Sequence, residues 1–75
     1  MSNIEQDMQR FEIALDEHIA QFRELELRTL LQYGEPTDAE MEYWQADRAV
    51  VWQEWRASVM SKMRAQLERD GANAH

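Results

Sequence analysis

Apolar residues early in the chain recur at steps of three and four: Ile4, Met8, Phe11, Leu15, Ile19, Phe22, Leu30 and Tyr33. At 3.6 residues per turn these fall on one face of a helix, whereas a strand would require alternation. His18, Leu25 and Thr29 border that face. No glycine or proline lies between Asn3 and Tyr33, so one amphipathic helix over about 3–33 is expected, opened by the capping-box pattern Ser2-x-x-Glu5. A second helix is expected over about 38–70. Trp44, Val51 and Trp55 share a line on its wheel, and Met41, Ala49, Trp52, Val59, Met60, Met63 and Leu67 widen that line to about half the circumference.

Between the two lies the one strong interruption, residues 34–37. Gly34 suits a backbone conformation past a helix end where a side chain would clash. Pro36 cannot continue a helix. Thr37-x-x-Glu40 reads as a second capping box, restarting the chain as a helix. Gly71 is expected to stop the second helix, leaving a frayed tail over 71–75. Two long helices of similar length joined by a short loop make an αα-hairpin. The fold class is therefore all-α, with residues 1–75 as a single domain.

The apolar pattern exceeds what one hairpin hides. Half of the second helix's circumference is more than one neighbouring helix covers, and Tyr43 and Val50 lie off that arc altogether. On the first helix a second apolar seam, Ile13, Ala20 and Leu27 at intervals of seven with Leu31 beside them, is either a contact for a partner helix or a scatter of ordinary surface apolar residues. A second copy of the chain supplies the missing cover most simply. The expected assembly is a homodimer forming an antiparallel four-helix bundle.

Charge refines this picture. The net charge is −7, which opposes approach to a phosphate backbone and argues against direct nucleic-acid binding. Residues 1–47 carry twelve acids and three bases, and residues 48–75 three acids and five bases. An antiparallel hairpin thus lays Arg56, Lys62, Arg64 and Arg69 alongside Glu5, Asp7, Glu12, Asp16 and Glu17, and leaves acids crowded at the turn. There is no cysteine, no apolar run of the roughly 20 residues that cross a membrane, and no basic, apolar leader pattern at the start. A cytoplasmic protein without membrane contact is expected.

Candidate chemistry is sparse. Glu26 falls inside the apolar arc of the first helix, where an unpaired carboxylate is costly. Arg48 occupies the matching face of the second helix about level with it. A structural ion pair between the two is expected, the alternative being an exposed Glu26 at the mouth of the hairpin. His18 reads as a hydrogen-bonded boundary residue, because Leu15 stands where a Glu-x-x-His metal motif needs its glutamate. No metal motif, glycine-rich phosphate loop or nucleophile–base set occurs, so neither catalysis nor a cofactor is expected. The tryptophans suit either a bundle core, which their wheel positions favour, or the anchoring of a partner.

The segment Thr37-Asp38-Ala39-Glu40, followed by Trp52-Gln53-Glu54-Trp55-Arg56-Ala57-Ser58-Val59, resembles the helical segment of bacteriophage tail and tail-fibre assembly chaperones. That segment joins a Thr/Glu-rich cap to a pattern close to Trp-x-x-aromatic-basic-x-x-aliphatic. The resemblance covers residues 37–59 and implies a small assembly factor. On this reading Trp44, Trp52, Trp55, Arg56, Val59 and Met63 form a face that binds another protein. The rival reading is an acidic inhibitor that imitates nucleic acid and fills a basic groove on a nucleic-acid enzyme.

Overall fold

The computed structural model describes residues 3–73, which form two helices packed side by side as a hairpin. Helix α1 spans Ile4–Leu31 and helix α2 spans Asp38–Asn73. The 36 residues of α2 correspond to about 54 Å at 1.5 Å per residue, close to the 57 Å long axis of a molecule only 16 by 15 Å across. The radius of gyration is 17.1 Å, against about 11 Å for a compact chain of this length. The molecule is a rod.

At the start of α1 the Ser2 expected to cap the helix lies outside the described residues. Asn3 occupies the cap position without a side-chain bond, and its carbonyl accepts the Asp7 N–H at 2.9 Å. The end of α1 comes at Leu31 rather than Tyr33. There the backbone tightens, the N–H groups of Tyr33 and Gly34 donating to Leu30 and Leu31 three residues back, at 3.1 and 3.5 Å. Such shorter-span bonds satisfy carbonyls that a helix end would otherwise orphan. Gly34 follows with φ of 137°, the region only glycine enters without strain.

The restart at α2 follows the capping-box logic. The Thr37 N–H donates to the Glu40 carboxylate at 3.1 Å, and the Glu40 N–H donates to Thr37 Oγ1 at 3.2 Å. The far end corrects the sequence expectation. Helix α2 does not stop at Gly71 but runs through it to Asn73. Gly71 keeps a negative φ, since Gly34 is the only described residue with a positive one. A glycine costs roughly 1 kcal/mol in a helix interior, and ends the helix only where the following chain folds back. No such fold-back occurs at Gly71.

Where the helices meet, burial is thin. Met8 and Leu15 are the only buried residues among those described, 5% and 6% exposed. Both lie in the half of the rod remote from the turn. Ile4, Phe11, Ile19 and Leu30 of α1, and Met41, Trp52, Val59, Met60, Met63 and Leu67 of α2, are only half-buried along the contact line. No described helix is long and apolar enough to cross a membrane.

The two glycines should respond oppositely to alanine in urea unfolding at fixed protein concentration. Gly34→Ala should destabilise by about 1–2 kcal/mol, because its φ excludes a Cβ comfortably. Gly71→Ala, where a Cβ meets nothing within 4 Å, should stabilise by roughly 0.5–1 kcal/mol.

Candidate functional site

The two edges of the helix–helix contact differ in chemistry. On one edge α1 presents Glu5, Glu12 and Asp16, and α2 presents Arg56 and Arg64. Arg56 donates from Nε and Nη2 to both oxygens of Asp16, at 2.6 and 3.2 Å, and from Nη2 to Glu12 at 2.7 Å. Arg64 forms a fork to Glu5 at 2.9 and 3.3 Å. These bonds stitch the helices together over the half that holds Met8 and Leu15. The Arg56 and Arg64 bonds hold the Asp16 and Glu5 carboxyls below their ordinary pKa, and the same bonds raise the two guanidinium pKa values. All these carboxylates are solvent-facing, so each pair is individually modest.

The opposite edge carries no such ladder. In the turn-proximal half it shows Phe22 and Leu25 from α1 with Val51 and Trp55 from α2, between 41% and 54% exposed. Phe22, Val51, Trp52, Trp55 and Arg48 line a shallow groove of about 340 Å³. A larger one of about 530 Å³ continues toward the turn past Leu25, Thr29, Tyr33 and Trp44. The rings form a connected chain. His18 meets Phe22 edge-on at 4.9 Å, Phe22 stacks on Trp52 at 6.1 Å, and Trp52 meets Trp55 edge-on at 5.4 Å. His18 thus joins an aromatic run instead of a polar network, and it is exposed.

Between the edges sits Glu26. One oxygen forms an ion pair with Arg48 Nη2 at 2.5 Å, and the other accepts from the Trp52 indole N–H, also at 2.5 Å. The pair placed level by the sequence therefore meets, with a tryptophan as a third member that helical spacing alone did not disclose. The two carboxylate oxygens thus face different donors, and the Arg48 Nε is buried with no protein partner among the described residues. From the other side Arg23, Leu27 and Gln45 border a separate opening onto the same pair.

The six residues proposed for partner binding are not brought to one surface. Trp55 faces the open apolar edge, and Trp44 borders its groove. Trp52 leans inward onto Glu26, Arg56 belongs to the ion-paired edge, and Val59 and Met63 are half-buried. Phe22 and Val51, which the apolar pattern puts on the core faces, and Leu25, which borders one, form much of the open edge. For Leu25 and Val51 a wheel position at the margin of the apolar arc is the signal; Phe22 lies within its arc and carries none. Ile13, Ala20, Leu27 and Leu31 run along α1 beyond the ion-paired edge. Ile13 is 62% and Leu31 47% exposed, Ala20 is exposed and Leu27 half-buried. Among the described residues no three His, Asp or Glu side chains are placed to hold a metal ion. No family model, curated protein or solved structure matches the chain.

In a double-mutant cycle, Glu26→Ala and Arg48→Ala should couple by more than about 0.5 kcal/mol in chemical denaturation, and strict additivity would exclude an energetic bridge. Acid titration gives a second check. Glu5 and Asp16 have lowered pKa values in the folded chain, so their contribution is complete above the ordinary carboxylate range. It is lost as pH falls through that range toward the folded values. Arg56→Gln and Arg64→Gln should flatten this acid loss of stability.

Proposed function

We propose that this chain is a non-catalytic, self-associating helical hairpin that works by binding apolar surface on another protein. One observation carries the reading: among the described residues the two α-helices bury only Met8 and Leu15, while Phe22, Leu25, Val51 and Trp55 stand together at the surface. A contiguous apolar edge on a highly charged rod is the usual mark of an interaction surface. Aromatic side chains supply large contact area at low entropic cost, which suits helix-face recognition. The likeness of residues 37–59 to phage tail assembly chaperones supports the same class of activity, a small assembly factor that shields apolar surface on a client.

The face that carries this role differs from the one the sequence suggested. Trp44 and Trp55 remain at its centre, joined by Phe22, Leu25 and Val51. Arg56, tied to Glu12 and Asp16, is assigned to holding the hairpin closed. Helix α1 offers the seam of Ile13, Ala20, Leu27 and Leu31 as a separate place for a partner helix. Cytoplasmic action and a dimeric state are parts of the proposal. The acidic-mimic alternative draws less support, because Glu5, Glu12, Asp16, Glu24 and Glu26 each already bond an arginine of the same chain. It keeps mainly the turn acids Glu35, Asp38, Glu40 and Glu42.

Sedimentation of the purified chain across a dilution series tests the proposal. A self-associating species should persist when salt is raised from about 0.1 to 1 M, a range that shortens the Debye length from roughly 10 to 3 Å. Its tryptophan emission should move to longer wavelength as it dissociates. A monomer at every concentration, with emission unchanged on dilution, would remove the basis for self-association.

A further inference from the structure

Resting on the self-association proposed above, we infer that in the absence of a client the occupant of the Phe22–Leu25–Val51–Trp55 edge is a second copy of this chain, which a client would displace. It lies antiparallel, with the two-fold axis passing near Phe22 and Val51. The first argument is area. A folded monomer of 9.0 kDa exposes about 4,850 Å² by the usual size scaling, whereas this chain exposes 6261 Å². The excess is about 1,400 Å², and a standard interface removes about 800 Å² from each partner. One copy of the same rod offers both the length and the apolar strip to do that.

The second argument is polar satisfaction. Covering an apolar surface is costly where it strands donors or acceptors. On this edge the Trp52 indole N–H and both Glu26 oxygens are already bonded within the chain. A second copy therefore covers rings and aliphatic carbons without orphaning those groups, and the Arg48 guanidinium that also lines the groove keeps its Glu26 partner.

Charge sets the direction. Residues 29–47 hold Glu35, Asp38, Glu40, Glu42 and Asp47 and no lysine or arginine. A parallel pair would set two such turns side by side. An antiparallel pair centred on the apolar edge does the reverse. Glu40 and Lys62 each lie eleven residues from Val51 along α2, so a two-fold at Val51 brings Glu40 of one copy level with Lys62 of the other. Lys62 and Arg69 both fall on the open-edge side of the α2 wheel, away from Arg56 and Arg64, and neither forms a salt bridge among the described residues. The ion-paired edges and the Ile13–Leu31 seam are left outside the bundle.

Equilibrium sedimentation of the full chain and three variants tests the face. Val51→Glu and Trp55→Ala should weaken dimerisation about 100-fold and 10-fold or more, since each change occurs twice per interface. Ile13→Glu, on the outer seam, should leave it unchanged, and circular dichroism should report intact helix in all three. Because the chain has no cysteine, Ala39→Cys takes a single spin label per copy. Label separation in the dimer should be roughly 36 Å for the antiparallel arrangement, twelve residues at 1.5 Å on each side of the axis, and about 10–20 Å for a parallel one. A monomeric parent would sink self-association as such. A dimer that survives Val51→Glu with its helix intact, or that Ile13→Glu dissociates, would overturn the face alone. A short label separation would overturn the orientation.

Discussion

A helix exposes its whole circumference, and one neighbour covers only a stripe of it. That constraint governs this molecule. Both helices carry apolar residues well beyond the stripe, so pairing hides some of them and merely brings the others together. Met8 and Leu15 are buried because they face the partner helix directly. Phe22, Leu25, Val51 and Trp55 sit one position around from the contact line and end up as neighbours on its rim. The burial available to a hairpin of this size is small, in keeping with the general difficulty of stabilising short chains by a single core.

Two kinds of force hold the opposite rims. One rim is a ladder of charge-assisted hydrogen bonds, Arg64 to Glu5 and Arg56 to Glu12 and Asp16, and it spans the half of the rod with the better-packed interior. The other is a row of rings and branched aliphatic chains with no charged cross-link. Glu26, where the two halves meet, bonds Arg48 and Trp52 together. Sliding one helix by a turn would separate that carboxylate from both donors, so the pairing also selects the register of the hairpin.

Much of the architecture was legible in the residues. Steps of three and four gave the helices, Gly34 and Pro36 located the bend, and Thr37 with Glu40 marked the restart. Level-matching across the bend placed Glu26 near Arg48, because antiparallel geometry is simple arithmetic. Less was legible where the outcome depends on side-chain reach. The indole of Trp52 reached Glu26, which a wheel does not reveal. Arg56 turned to the acidic rim although its neighbour Trp55 suggested a shared face; adjacent positions on a helix point about 100° apart. Gly71 misled for a different reason. Glycine permits a helix to end, but an ending also needs chain that returns, and residues 72–73 continue straight on.

The contrast between the rims has a thermal consequence. Apolar burial weakens on cooling, whereas paired charges follow acidity and ionic strength. Chilling therefore loosens whatever rests on the ring-lined side while leaving the arginine ladder in place; acid does the opposite. The two rims of the hairpin thus answer to separate solvent variables, so the ring contacts and the arginine ladder can be weakened independently.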